Sequence, residues 1–198
     1  MRPTVFTVKR IAVAAAAVAA AAVSGLTVAT PALAQESYAA SVVSSKAAPP
    51  CQSSGIDDWL ATNGNGAAGT IFYHLDFTNL SGQACTLQGF PFVFAVNLSG
   101  QQIGNRAVLN HAFPANSVTV GSGATIHAVL GIVATGNYPP SACKPVTAAG
   151  LEVFAPTGIN EVGRTVPFPF SACSTRGSHA PNFLKDTPVH LGAEHAAR

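Results

Sequence analysis

Residues 70–79 read Thr-Ile-Phe-Tyr-His-Leu-Asp-Phe-Thr-Asn, and this stretch decides the fold class of the chain. Every second side chain in it is large and apolar, and these are Ile71, Tyr73, Leu75 and Phe77. The side chains between them are mostly polar, and these are Phe72, His74, Asp76 and Thr78. An alternation with a period of two predicts a β-strand that buries one face and leaves the other toward solvent.

Shorter runs rich in β-branched and aromatic residues follow this strand. They span residues 92–97, 117–120, 125–133, 150–155, 160–166 and 183–191, and residues 56–62 supply a weaker one. Clusters of Gly, Pro, Asn or Ser separate most of them and favour turns, and no segment after residue 34 has a convincing helical period. The pattern predicts an all-β antiparallel sandwich over residues 51–192, with a flexible tail at 193–198.

The tetrapeptide Asn-Leu-Ser-Gly occurs twice, at residues 79–82 and 97–100, in predicted turns. Asn and Gly tolerate the left-handed backbone conformation that a tight reversal needs. We therefore expect Asn79 and Asn97 to serve the backbone there. Each also satisfies the Asn-x-Ser rule for N-glycosylation, which matters only in a secreting eukaryotic host.

The first 34 residues have the composition of a secretory signal peptide. Residues 1–10 carry three basic side chains, residues 11–28 are apolar and rich in Ala, and Ala32-Leu33-Ala34 is a small-residue cleavage signal. The apolar run is close to the roughly 18 residues that a retained membrane span needs, but the cleavage signal after it favours removal. We expect cleavage after Ala34, a secreted protein without a membrane span, and a disordered linker rich in Ser, Ala and Pro over residues 35–50.

Removal of this segment would change the sign of the net charge. The chain has 10 basic and 8 acidic residues, and Arg2, Lys9 and Arg10 lie in the predicted signal peptide together with none of the acidic ones. Seven basic residues then remain against eight acidic ones. Since no run of Lys or Arg is left, nucleic acid and anionic membrane surfaces are poor candidate partners.

Four cysteines follow the predicted cleavage site, and these are Cys51, Cys85, Cys143 and Cys173. An even number of cysteines in an exported chain favours two disulfides. Zinc is the alternative, but no Cys-x-x-Cys pair and no histidine at finger spacing supports it. Three pairings are possible, and we favour first with second and third with fourth, because each then closes a loop of about thirty residues that holds one or two predicted strands.

Residues 64–69, Gly-Asn-Gly-Ala-Ala-Gly, match the Gly-x-Gly-x-x-Gly fingerprint of dinucleotide-binding sites. That motif needs a strand before it, a helix after it and an acidic residue about twenty positions later. Here a strand follows at residue 70, and no acidic residue lies near position 89. We interpret the segment as a glycine-rich hairpin loop and expect no cofactor.

Familiar catalytic motifs are missing: there is no Gly-x-Ser-x-Gly elbow, no β-lactamase set and no His-Glu-x-x-His helix. A dispersed Ser/His/Asp site stays open, and its candidates are His74, His111, His127, Asp57, Asp58 and Asp76. We expect solvated surface positions, not catalytic or metal sites, for five histidines, and these are His74, His127, His179, His190 and His195. Metal capture by the C-terminal histidines is a further alternative.

One aromatic segment is a candidate partner contact. Phe168-Pro169-Phe170 lies near Cys173 and suits a rigid loop that could present an apolar surface. Packing of these rings in the core is the stronger interpretation.

Several segments resemble a known family. Thr78-Asn79-Leu80-Ser81, followed by Cys85-Thr86-Leu87-Gln88-Gly89-Phe90-Pro91, is similar to the “domain of unknown function 4232” family of secreted, mostly actinobacterial proteins. Residues 118–124, with Ser122 where that family usually has Pro, residues 151–156 and Thr187-Pro188-Val189 follow in the same order. The resemblance implies a secreted, disulfide-bonded, immunoglobulin-like sandwich without an established activity, so it assigns no functional residue.

Together these observations predict a non-enzymatic, exported module that binds a protein or an envelope glycan through loops at one end of the sandwich. The alternative is a secreted hydrolase. A concave pocket that brings His74 or His127 together with an aspartate and a serine would favour that alternative.

Overall fold

The computed structural model describes residues 47–158 and 161–191. The predicted signal peptide with its cleavage site at Ala34, most of the predicted linker, and the predicted tail with His195 lie outside these residues. Within the described ranges, no helix is long and apolar enough to cross a membrane.

The described residues form mostly β-strands. The strands are β1 (Ile56–Ala67), β2 (Thr70–Asn79), β3 (Cys85–Gln88), β4 (Phe92–Val96), β5 (Gln102–Ile103), β6 (Val108–Leu109), β7 (Ser117–Val120), β8 (Thr125–Val133), β9 (Pro145–Phe154), β10 (Arg164–Cys173) and β11 (Leu184–Asp186). One α-helical turn, α1 (Pro140–Cys143), and two 3-10 turns, Ser53–Gly55 and Thr135–Asn137, connect them.

The strands are arranged as a β-sandwich. The first sheet has the order β1-β2-β8-β11-β6, the second has the order β10-β9-β4-β5, and β3 pairs with β7 as a separate ribbon. Buried side chains of both sheets and the ribbon form one hydrophobic core, which includes Leu75, Leu87, Val93, Leu130 and Leu151. The all-β class is confirmed, although β6 and β11 pair in parallel and depart from a purely antiparallel arrangement.

Strand β2 has the bounds that the alternation predicts, and its inner residues Leu75 and Phe77 are fully buried. Its other face is less open than expected. Asp76 on that face is only 7 % exposed, because β2 lies inside the sheet between β1 and β8 and side chains of those strands surround it.

The glycine-rich segment belongs to a long hairpin and not to a loop. Strand β1 continues to Ala67, and the chain reverses over Ala68 and Gly69, both of which have positive φ. A Cβ atom at Gly64 would overlap the ring of Tyr73. This corrects the predicted loop to a two-residue turn, and the strand that follows it agrees with the rejection of a dinucleotide site.

The two Asn-Leu-Ser-Gly turns also need a correction. Among the described residues other than glycine, only Ala68 and Lys144 have positive φ, so neither asparagine adopts the left-handed conformation. Gly82 and Gly100 adopt it in these turns. The asparagines act through their side chains, whose oxygens accept from the backbone amides of Ser81 and Ser99.

Two strands toward the C-terminus lie elsewhere than predicted. The predicted strand at 160–166 is replaced by β10, which runs past Pro167 and Pro169. Because β10 is an edge strand, the missing proline amides cost no bond to a further strand. Of the predicted run 183–191 only the three residues of β11 form a strand, since Pro188 cannot extend the ladder.

Both disulfides are present, joining Cys51 to Cys85 and Cys143 to Cys173, which is the pairing that loop length favours. The first ties the segment before β1 to β3, and the second ties α1 to the end of β10. The backbone amide of Thr86 donates to the carbonyl of Pro49. Regular pairing therefore begins inside the predicted linker.

Two carboxyl groups occupy inward positions of the first sheet, Asp58 on β1 and Asp186 on β11. Asp186 is 1 % exposed, and burial raises its pKa to about 7, against the opposing effects of its own backbone amide and of Arg106. Burial also raises the pKa of Asp58 to about 7, where Arg164 lowers it and Asp57 raises it. Both groups bind a proton more tightly in the folded chain than in the unfolded one.

We expect the free energy of unfolding to fall as the pH rises from about 4 to about 7, because these carboxyls are protonated in the folded state at pH values where the unfolded chain has lost the proton. The variant Asp186→Asn should be about 1–2 kcal/mol more stable than the wild type at pH values above 7 and no more stable near pH 4. Urea denaturation at both pH values measures this. The exposed Asp57→Asn should change stability by less than about 0.5 kcal/mol at either pH, and equal effects of the two variants at high pH would contradict the prediction.

Candidate metal centre

Three imidazoles and one carboxylate meet on the outer face of the first sheet. Asp76 on β2 lies directly opposite His127 on β8, and His74 lies two residues before Asp76 on the same face. His190, which follows β11, forms an isolated antiparallel bridge with His127. We refer to these four residues as the histidine–aspartate cluster.

The side chains of the cluster are in contact. The ring of His74 stacks on the ring of His127 with 4.5 Å between centroids and 3° between planes. The ring of His190 stands edge-on to His127, with 4.6 Å between centroids. One potential ligand atom from each of His74, Asp76 and His127 lies within 4.8 Å of the other two. Adjacent strands therefore already gather three metal-ligating side chains.

The cluster is partly withdrawn from water. Its imidazoles are half-buried and its carboxylate is buried. Burial raises the pKa of Asp76, and the charge of His74 acts in the opposite direction. A carboxylate in this environment is stabilised by a nearby positive charge, which a protonated imidazole or a metal ion can supply.

Hydrogen bonds hold the strands on one side of the cluster. Trp59 of β1 lies opposite Asp76, and its Nε1 donates to the hydroxyl of Thr78 at 3.3 Å. That hydroxyl is also hydrogen-bonded to the hydroxyl of Thr125 on β8 at 2.8 Å. The outer face is thus connected from β1 through β2 to β8.

The segment that carries His190 is held on the other side. The backbone amide of Val129 donates to the hydroxyl of Thr187 at 2.9 Å, and the amide of Thr187 donates to the carbonyl of Val129 at 3.1 Å. The amide of His190 donates to the carbonyl of His127 at 2.9 Å. These bonds hold the backbone of His190 beside β8 although no regular strand continues there.

Imidazole nitrogen and carboxylate oxygen are ligands that zinc and copper accept. Two imidazoles with one carboxylate form a common set for zinc sites that keep one position open. Bonds of about 2.0–2.2 Å would require ligand atoms roughly 3–3.5 Å apart, so side-chain rotation would have to bring the three atoms closer than they are now. The ring contact with His127 makes His190 the candidate for a fourth ligand.

The remaining histidines are placed differently. His111 lies in a loop with its ring 5.0 Å from the ring of Phe90, and His179 is exposed near the turn after β10. The alternation correctly put His74 and His127 on outward positions, but they are half-buried and in contact, not separately solvated. Sequence periodicity assigns a face to each strand, whereas the contact depends on which strands are neighbours.

Of the candidates for a Ser/His/Asp site, His74, Asp76 and His127 meet in the cluster, whereas His111 and two aspartates lie elsewhere. Asp57 lies near Arg164, with 3.9 Å between carboxylate and guanidinium, and Asp58 occupies an inward position. Strands β1, β2 and β8 contain no serine, but Ser117 lines a pocket that also contains His190.

The segment Phe168-Pro169-Phe170 is mostly packed. The ring of Phe168 is edge-on to Tyr73 at 5.1 Å, and the ring of Phe170 lies 6.5 Å from Phe183. Both phenylalanines are partly buried against the core, and Pro169 between them is exposed. These contacts give the rings a structural role, and a partner contact through them stays a prediction.

A search of curated proteins found no match to this chain. Residues 51–190 match the profile of a family described as “Domain of unknown function (DUF4232)”. The matched range contains both disulfides, every strand given above and the whole histidine–aspartate cluster. The chain therefore belongs to the DUF4232 family, which the resemblance around Asn79 and Cys85 predicts.

Proposed function

We propose that this protein is an exported, non-enzymatic binding domain that holds a divalent transition-metal ion, Cu²⁺ or Zn²⁺, through His74, Asp76 and His127. The observation that carries the proposal is the gathering of two imidazoles and a buried carboxylate within 4.8 Å. Two disulfides support a location outside the reducing cytosol. The composition of the first 34 residues supports export through a cleavable signal peptide.

The two imidazole rings and the carboxylate of the cluster are the groups that a divalent transition-metal ion would bind. Two protonated rings at a centroid distance of 4.5 Å would repel each other. An ion shared by both rings would need one of them to turn out of the stack, because parallel rings do not direct their nitrogens at one point. The buried carboxylate of Asp76 supplies the negative charge that a divalent ion requires.

A bound ion would also supply a means of contacting a partner. Where the ring of His190 does not take the fourth position, three protein ligands leave that position of a tetrahedral ion open. An oxygen or nitrogen of a partner protein or an envelope glycan could complete the coordination.

The proposal is tested by calorimetric titration of the EDTA-treated protein, purified without a polyhistidine tag, with Cu²⁺ and with Zn²⁺. We expect one strong site per chain, with Cu²⁺ bound more tightly than Zn²⁺. His127→Ala removes a ligand and should weaken binding about 100-fold or more, since even indirect partners of ligands contribute 10–100-fold. Binding should also weaken as the pH falls, because protons compete with the metal ion for the imidazoles.

His179→Ala is the matched control, because it removes an exposed histidine outside the cluster and should leave the affinity unchanged. Truncation after Gly177 is a poor control, since it would remove β11 and the buried Phe183. The proposal is wrong if neither ion binds, or if folded His74→Ala and His127→Ala variants bind as the wild type does.

A further inference from the structure

A second surface of interest shares no residue with the histidine–aspartate cluster. It is an open groove of about 510 Å³ between β4, β5, β6 and the turn that follows β10. The residues that matter for its chemistry are Phe92, Gln102, Asn105, Arg106 and Arg176. We refer to it as the arginine groove.

Arg106 and Phe92 form one wall of the groove. The guanidinium carbon of Arg106 lies 5.5 Å from the centroid of the Phe92 ring, in a cation–π arrangement. The ring of Phe92 is 37 % exposed and also packs edge-on against Phe94 and Phe154, at 5.6 and 5.4 Å. The groove thus presents an exposed aromatic ring, held by its neighbours, next to a positive charge.

Arg176 is held in place by its surroundings. Its Nη2 donates to the side-chain oxygen of Gln102 at 2.5 Å. The next residue, Gly177, is bonded twice to Asn105, which donates to its carbonyl at 2.9 Å and accepts from its amide at 3.0 Å. The disulfide at Cys173 restrains the other end of the turn. The side chain of Arg176 and its turn are therefore already ordered, so a ligand would lose little affinity by ordering them.

The charges of the groove are not neutralised by close carboxylates. Among the described residues, one ion pair has a nitrogen-to-oxygen distance of 4.0 Å or less. It joins Arg164 to Asp57, at a different edge of the fold. Arg106 acts on Asp186 at longer range, and Asp186 is too deeply buried to meet a ligand. Two of the three arginines in the described residues therefore face one groove, in a chain of which only 9 % is charged.

We propose that the arginine groove binds an acidic carbohydrate, a chain of uronic acid residues. Guanidinium groups form paired, charge-assisted hydrogen bonds to carboxylates. The exposed ring of Phe92 can pack on the apolar C–H face of a pyranose ring, as aromatic side chains do on flat apolar surfaces. The groove is open to solvent, so a sugar unit can enter it while the rest of its chain lies on the surface.

Calorimetric titration of the full exported chain with a hexamer of galacturonic acid tests this, in EDTA so that the metal centre plays no part. We expect saturable binding that weakens as salt is added. Arg176→Ala and Arg106→Gln should each lower the affinity about tenfold or more, since each removes a charge-assisted contact. Arg164→Ala, which changes the third arginine, is the matched control and should leave the affinity unchanged.

Each alternative outcome overturns the proposal. Failure of the hexamer to bind, or equal binding by a neutral galactose hexamer, would show that the groove does not select acidic sugars. Unchanged affinity in Arg176→Ala, which replaces an exposed residue and should fold normally, would place any binding elsewhere. Inorganic phosphate that binds as tightly as the hexamer would show that the groove recognises an anion and not a carbohydrate.

Discussion

Substitution of Asn79 by alanine is expected to lower the free energy of unfolding by about 3 kcal/mol. Asn79 is the last residue of β2 and is 0 % exposed. Its Nδ2 donates to the backbone carbonyls of Gln83 and Val120 at 2.7 and 2.9 Å. Its Oδ1 accepts from the amide and the hydroxyl of Ser81 at 3.0 and 2.7 Å. Alanine would leave these groups without their partner, at about 1–3 kcal/mol for each that stays dry.

The backbone of Asn79 takes part in the same network. Its amide donates to the carbonyl of Ala124 at 2.9 Å, and its carbonyl accepts from the amide of Gly123 at 2.7 Å. One residue thus joins the loop after β2 to the turn between β7 and β8. Two of the segments that resemble the family, residues 78–81 and 118–124, meet at this residue, so their shared occurrence has a structural reason.

The chain offers a matched control, because Asn97 occupies the same Asn-Leu-Ser-Gly tetrapeptide. The Oδ1 of Asn97 accepts from the backbone amides of Ser99 and Gln101, at 2.9 Å each. Its bonds are exposed, so water can replace them, and Asn97→Ala should cost less than about 1 kcal/mol. Urea denaturation and thermal melting measure both, with an expected loss of about 10 °C for Asn79→Ala.

A third variant separates the donors from the volume of the side chain. Asn79→Asp keeps an acceptor for Ser81 and nearly the same shape, but it loses the two donors to backbone carbonyls and buries a charge. It should be no more stable than the alanine variant. Equal losses for Asn79→Ala and Asn97→Ala would contradict the prediction, because the two turns would then contribute alike.

The strands that sequence reasoning placed correctly are those whose own residues decide their structure. The observed bounds of β2 and β8 match the predicted ones. Apolar and polar side chains alternate in β2, apolar and β-branched residues dominate β8, and clear turn signals flank both. Strand β1 contains Asn and Gly, which disfavour strands in isolation, and it forms because its partner β2 supplies the ladder. In β10 the edge position tolerates prolines that would end an interior strand.

The candidate metal centre required information that periodicity does not contain. Residues His74 and Asp76 share a face by their spacing alone, and this was visible in the sequence. The approach of His127 depends on β8 lying beside β2, and the approach of His190 depends on the chain returning along β8 after β11. The sequence does contain a signal for this site. A histidine and an aspartate lie two residues apart on one predicted strand, and a second histidine lies at an outward position of another apolar strand.

Replacement of all four cysteines by alanine is expected to lower the free energy of unfolding by about 7 kcal/mol. The bonds Cys51–Cys85 and Cys143–Cys173 close loops with sequence separations of 34 and 30 residues. In the chain-entropy model each contributes about 3–4 kcal/mol by restricting the unfolded chain. Since the loops do not overlap, the two contributions should add.

Urea denaturation of the wild type, the two paired variants and the four-alanine variant measures this. Each paired variant should lose about 3–4 kcal/mol. Loss of the second disulfide should leave the local structure in place, because the amide and hydroxyl of Ser174 still donate to the carbonyls of Cys143 and Lys144 at 2.9 and 2.8 Å. Its effect should therefore be on stability and not on the fold.

The size of the combined loss bears on where the protein can work. Single domains have total stabilities of about 5–15 kcal/mol, so a loss of about 7 kcal/mol would leave the four-alanine variant marginal or unfolded. The same chain kept reduced in a cytosol should then be degraded or aggregate, whereas the oxidised chain should persist. If the four-alanine variant were as stable as the wild type, the fold would not depend on an oxidising compartment, and the disulfides would no longer support the proposal of export.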